Sequence, residues 1–188
     1  MIQLRPFDES GFPRLIAWIG SHEDLVQWAG PSQFTFPLTD DQLKSYLAEA
    51  QGERGSRRAF TAIDGAGMVC GHIELGAINH LNQTATLCRV CVAPELRGKG
   101  ICLPMVQEVM KIGFEELGLR RIDLRVYSFN ASAIRCYERA GFVREGLLRK
   151  LQKIGDNFWD TVLMAILREE WIPHNPEERD NQPAVPVA

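Results

Sequence analysis

Apolar positions in the first fifty residues recur at helical spacing. Leu15, Ile16, Trp18 and Ile19 fall on one stripe, and Ser21-x-x-Asp24 has the pattern of a helix start leading to Leu25, Val26 and Trp28. Thr39-x-x-Gln42 is a capping-box pattern announcing a third helix with Leu43, Tyr46 and Leu47, which Gly52-Glu53-Arg54-Gly55-Ser56 ends. The loop between, with Pro31, Phe34, Phe36 and Pro37, is unusually apolar. From Ala59 the period shortens to two: positions 60–63 and 68–75 read as strands joined by the hairpin signal Asp64-Gly65-Ala66-Gly67, and positions 84–92 as a third strand. That strand passes through Val92-Ala93-Pro94 and a glycine-containing turn into a helical run over 101–117, stopped by Gly118. Positions 121–127 alternate as a strand with one buried face. Asn130 opens a helix running through Ala133, Ile134 and Tyr137 to Gly141, and 142–150 with 158–167 form a last strand pair around Gly155-Asp156-Asn157. The pattern predicts an α/β (α+β) domain over residues 1–172, followed by a mobile proline-containing tail over 173–188.

Composition narrows the class. A length of 188 residues, 45% hydrophobic and 24% charged, suits one soluble globular domain. A net charge of -3 gives no general pull toward nucleic acid, so an anionic ligand must be held locally. Apolar stretches such as 159–167 are too short and polar to span a bilayer, and the first residues lack a signal-peptide core, so no membrane partner and a cytoplasmic location are expected. Five cysteines without an export signal argue for reduced thiols over a disulfide framework. Cys88-x-x-Cys91 lies in an extended stretch, where residues three apart point to opposite faces, and no second pair stands at metal-ligand spacing; no metal is expected.

The chemistry gathers at Arg97-Gly98-Lys99-Gly100. Amides at a helix N-terminus lack intrahelical partners, the helix dipole adds positive potential, glycine admits close approach, and Arg97 and Lys99 add charge. A diphosphate is the ligand suggested; the bland alternative is a strand-to-helix turn that merely needs glycine. The nucleotide loop G-x-x-x-x-G-K-[ST] is absent, and no G-x-G-x-x-G follows the first strand of a parallel unit.

Residues 92–102, Val-Ala-Pro-Glu-Leu-Arg-Gly-Lys-Gly-Ile-Cys, resemble the acetyl-CoA signature [QR]-x-x-G-x-[GA] of the GNAT N-acetyltransferases, with its V-x-P lead-in. Residues 130–142 resemble that family's N-x-x-A-x-x-x-Y-x-x-x-G-F motif, and the similarity spans roughly 59–167. The resemblance implies a mixed, mostly antiparallel sheet, splayed in the middle and flanked by helices, with acetyl-CoA as co-substrate. It implies that Arg97, Gly98, Lys99, Gly100, Ile101 and Cys102 cradle the diphosphate, that the backbone of Val90, Cys91 and Val92 pairs with the pantetheine arm, and that Asn130 bonds that arm or simply caps its helix. Cys102 stands where the family has Gly or Ala, and Pro104 removes one amide from the first turn.

In such enzymes an amine attacks the thioester directly and the departing thiolate is protonated. Tyr137 is the candidate acid, its alternative being core packing; Glu74 is the first choice for a base, with His72 and His80 behind it. Position 125 is Arg where some N-terminal acetyltransferases place a glutamate. The implied acceptor is a primary amine of a small molecule or a peptide N-terminus. Residues 133–138, together with the Trp18 to Trp28 helical region, are similar to the aminoglycoside 6'-N-acetyltransferase branch, whereas 141–149, then 156–160 and a closing hydrophobic strand, look like the ribosomal-protein N-terminal acetyltransferase branch. A polycationic acceptor would need converging carboxylates, for which Glu23, Asp24, Asp40, Asp41 and Glu74 are candidates. An acyl-CoA sensor without turnover is the other class, and a homodimer is common in the family.

Overall fold

The computed structural model describes residues 2–50 and 55–172. Seven strands, β1 (Gln3–Pro6), β2 (Arg58–Ile63), β3 (Val69–Asn79), β4 (Thr84–Val92), β5 (Arg121–Tyr127), β6 (Val143–Ile154) and β7 (Asn157–Leu167), form one sheet in the order β1-β2-β3-β4-β5-β7-β6. All neighbouring pairs are antiparallel except β4 with β5. The helices are α1 (Phe12–Trp18), α2 (His22–Ala29), α3 (Asp40–Ala50), α4 (Cys102–Lys111) and α5 (Ala131–Arg139). Strand β1 is an addition to the sequence pattern: its four residues are too few to show alternation, and its mostly exposed positions carry no apolar stripe. The helix end expected at 52–56 and the tail from 173 lie largely or wholly outside the described residues.

Alternation along the strands builds two cores. Ile73, Leu75, Leu87, Ile122 and Leu124 pack against Met105, Val106 and Val109 of α4 and Ile134 and Tyr137 of α5. On the other face, α1, α2 and α3 bring Leu15, Trp18, Leu25, Trp28, Leu43 and Tyr46 onto Cys91 and Ala93. Local signals work as read: the Ser21 hydroxyl accepts from the Asp24 amide at 3.0 Å, and Asn130 Oδ1 accepts from the Ala133 amide at 3.2 Å. The run after the glycine turn departs from the pattern. It is α-helical only to Lys111 and then widens into a π turn over Ile112–Glu116, closed by Leu117 N donating to Ile112 O at 3.0 Å.

One extra residue in β4 sets the geometry of the middle of the sheet. Glu74 faces Cys88 and His72 faces Cys91, so two steps on β3 span three on β4. Arg89 takes up the surplus at φ 51°, a left-handed conformation, as a bulge requires. The bulge corrects the reading of Cys88 and Cys91: the inserted residue resets the alternation, so both lie on the face of α1–α3, Cys88 against Glu74 and Cys91 in that core. A second correction concerns the thiols. Cys102 at the start of α4 is joined to Cys136 of α5, with Cα atoms 6.5 Å apart, whereas Cys70, Cys88 and Cys91 are free. Helices α4 and α5 lie side by side on one face of the sheet, a proximity that spacing along the chain does not reveal.

The bulged carbonyl is not left bare, since Trp28 Nε1 donates to Arg89 O at 3.0 Å. Trp28→Phe keeps an aromatic ring but orphans that carbonyl, which should lower unfolding free energy by about 1–3 kcal/mol. Urea denaturation checks it; an unchanged midpoint would mean that the bulge needs no such clamp.

Candidate active site

The bulge opens the sheet. Strands β4 and β5 pair only from Thr84–Leu87 with Arg121–Leu124, and beyond those residues they diverge. From Cys88 onward β4 keeps β3 on one side and turns a free backbone edge to the gap. A cleft of about 1200 Å³ occupies this gap. It is lined by residues of the bulge, the turn before α4, the inner face of α5, the segment after α2, and the outward faces of β5 and β7.

The turn has the shape an anion needs. Gly98 and Gly100 stand at φ 74° and 78°, where a side chain is strained, although open space surrounds both. The Lys99 amide is spent inside the turn on Leu96 O at 3.3 Å, but among the described residues the amides of Gly98, Gly100 and Ile101 donate to nothing. Helix α4 starts with no side-chain cap, so its first amides are also free. The donors and the positive end of the helix dipole therefore face the cleft together.

Of the residues singled out by sequence, Glu74, Val90, Val92, Arg97, Gly98, Gly100, Ile101, Cys102, Asn130 and Tyr137 line the cleft. Cys91 and Lys99 do not: the bulge turns the Cys91 side chain into the α1–α3 core, and Lys99 projects into solvent. Asn130 Oδ1 is used as the helix cap, and it also accepts from the Ser132 hydroxyl at 3.1 Å. Tyr137 is 7% exposed, and burial followed by proximity to Cys88 pushes its hydroxyl above the ordinary tyrosine range. Burial, followed by Glu74, raises the Cys88 thiol to about 12. Both groups are neutral donors at physiological pH.

Glu74 reaches the cleft, yet its carboxylate is fully engaged. It accepts from the Tyr46 hydroxyl, from Arg89 Nη1 at 2.7 Å and from the Cys88 thiol at 3.5 Å, and Arg57 Nε stands 3.9 Å away. The residue expected as a base is therefore held in a buried ion pair with Arg89. His72 is 1% exposed and lies outside the cleft lining; burial, then Arg89, lowers it to about 3. His80 is exposed on a turn away from the cleft. Nor do the carboxylates converge: Glu23 and Asp24 open α2, Asp40 and Asp41 open α3, and none of the four lines the cleft. Sequence reasoning missed Arg57, Cys88 and Arg89 as lining residues, because a bulge leaves no mark in the apolar pattern. Among the described residues no cluster of metal-ligating side chains occurs, and no helix is long and apolar enough to cross a membrane.

The sequence pattern described as the acetyltransferase (GNAT) family matches residues 22–142. The SPbeta prophage-derived uncharacterized N-acetyltransferase YokL of Bacillus subtilis is 31% identical over 136 residues, covering 72% of this chain and 75% of that protein. Spermidine N(1)-acetyltransferase of Vibrio cholerae is 31% identical over 117 residues, covering 62% and 67%. Among solved structures, spermidine N-acetyltransferase from Vibrio cholerae in complex with CoA and spermine superposes with a TM-score of 0.79 at 24% identity, over 90% of this chain and 96% of that one, a likeness of fold.

Two tests follow from the site. Gly100→Ala puts a side chain at φ 78° in an open turn, so the free turn should relax to negative φ with little loss of stability, and restoring the anion-binding shape against roughly 1–2 kcal/mol of left-handed strain should lower CoA affinity about tenfold. Calorimetry with CoA reads it, and full affinity would place the phosphates elsewhere. For His72, a folded value of about 3 against 6.5 unfolded means that only the unfolded chain takes a proton as pH drops below 6.5. Stability should therefore fall by up to about 1.4 kcal/mol per unit between about pH 6.5 and about pH 3, and His72→Gln should flatten that slope. Equal slopes in the two proteins would contradict the assignment.

Proposed function

The chain belongs to the acetyltransferase (GNAT) family, and we propose that its cleft holds acetyl-CoA with the thioester at the mouth of the splay, beside Tyr137. It is an N-acetyltransferase that uses acetyl-CoA to acetylate an amine. The observation that carries the site reading is the free row of amides at Gly98, Gly100 and Ile101 next to the unpaired edge of β4.

In this reading the diphosphate sits on those amides and the opening of α4, with Arg97 adding charge. The pantetheine arm runs along the free edge at Val90 and Val92, and Asn130 serves as the cap of α5 with its amide nitrogen turned to the arm. A neutral amine attacks the thioester carbonyl, the carbonyl reforms, and the carbon–sulfur bond breaks. The proton for the departing sulfur comes from the Tyr137 hydroxyl, which burial keeps protonated. Solvent takes the amine's own proton, which suits an amine titrating near 8 better than one near 10.4. The acceptor is a primary amine of a small molecule or a peptide N-terminus. The relatives named as spermidine acetyltransferases favour a polyamine as the specific alternative.

Free-thiol release from acetyl-CoA over a panel of amines tests this. Tyr137→Phe should lower kcat by roughly 10²–10⁴ on the best amine while CoA binding persists. In the unaltered enzyme kcat should not decline on the alkaline side until past pH 10, because the raised tyrosine keeps its proton there. Full turnover by the phenylalanine variant removes Tyr137 from the mechanism.

A further inference from the structure

The cleft divides by charge. On the side of α4 and α5 its lining carries Arg97, Arg135 and Arg139 and no carboxylate, which suits a cofactor with several phosphates. On the other side of the splay the lining carries Arg57, Arg89, Arg121 and Arg125 against Glu74 and Asp123. Both of these carboxylates are already committed. Glu74 is tied to Arg89 at 2.7 Å. Asp123 accepts from the Thr86 hydroxyl at 2.8 Å and stands 3.9 Å from Arg121, which is itself held by Glu145 through two nitrogens.

One cation is left over. Arg57 is not that cation, because its guanidinium pairs with the Glu74 carboxylate at 3.9 Å and with the exposed Glu49 at 3.4 Å. Arg125 is exposed on β5 and makes no ion pair or side-chain hydrogen bond among the described residues. A guanidinium is a planar fork of donors that fits a carboxylate through two bonds, and it cannot shed its charge to accept a cationic neighbour.

We propose that the acceptor amine carries its own carboxylate, seated by Arg125 across the splay from the cofactor's phosphates, and that polycations are discriminated against. Free amino acids with an acidic side chain and peptide N-termini followed by an acidic residue share this chemistry. The proposal rests on the transferase reading above for its geometry, and it concerns selection among amines rather than the acyl-transfer step.

The test pairs each acidic probe with its amide: glutamate with glutamine, and a tripeptide bearing aspartate at its second position with the asparagine version, alongside spermidine. Binding to the CoA-loaded protein by calorimetry and initial rates with acetyl-CoA are both measured. The acidic member of the better pair should bind about tenfold more tightly than its amide and be acetylated with higher kcat/KM. Arg125→Gln, at an exposed position, should bring that ratio close to one, and Arg125→Glu should shift preference toward spermidine. The proposal is overturned if spermidine outperforms every acidic probe on the unaltered protein, if no acidic probe binds, or if both Arg125 variants keep the original ratio. Turnover of no amine at all, with CoA bound, sinks the transferase reading, while the acid-to-amide binding ratio still decides this one.

Discussion

The structure depends on one surplus residue in the fourth strand. Arg89 cannot join the ladder between β3 and β4, so β4 bends, its pairing with β5 stops after Leu87, and the sheet opens. A bulge by itself only costs hydrogen bonds. Here three contacts hold it: the Trp28 indole takes the Arg89 carbonyl, the guanidinium reaches back to buried Glu74, and Gln33 accepts from its other terminal nitrogen. Burying Glu74 next to Tyr46 is tolerable because Arg89, with Arg57 behind it, neutralises it, so the ion pair and the bulge support each other. This is why Glu74 serves the architecture of the opening better than it would serve as a base.

The opening turns a structural irregularity into a binding surface. Unpaired backbone on β4, free amides in the glycine turn and an uncapped α4 all face one cleft, and each is a group that folding normally satisfies internally. Their cost is recovered when a ligand with phosphates and amide groups supplies the missing partners. Tyr137 reaches the same opening from the α5 side, where burial fixes it as a neutral donor, and the arginines of β5 and Arg57 stand on the opposite wall.

Much of this was legible in the sequence, for identifiable reasons. The glycines at 98 and 100 and the cap at Asn130 are local requirements of backbone geometry, so residue type alone announces them. Strand β5 alternates because it has one buried face, and β4 and β5 begin and end where the pattern places them. The bulge was not legible, since no residue type is obligatory there, and with it went the orientation of Cys88 and Cys91, the engagement of Glu74 and the lining role of Arg57 and Arg89. The Cys102–Cys136 link and the scatter of the acidic residues were hidden for a different reason: both depend on which helices lie together, which periodicity does not encode.

The central claim is that CoA enters the sheet at the bulge and is gripped by main-chain amides. A crystal structure with CoA bound tests it most directly. The diphosphate should lie within hydrogen-bonding distance of the Gly98, Gly100 and Ile101 amides, with the pantetheine along Val90 and Val92 and the sulfur beside the Tyr137 hydroxyl. Coenzyme bound anywhere else on the chain, with the gap between β4 and β5 empty, would contradict the account.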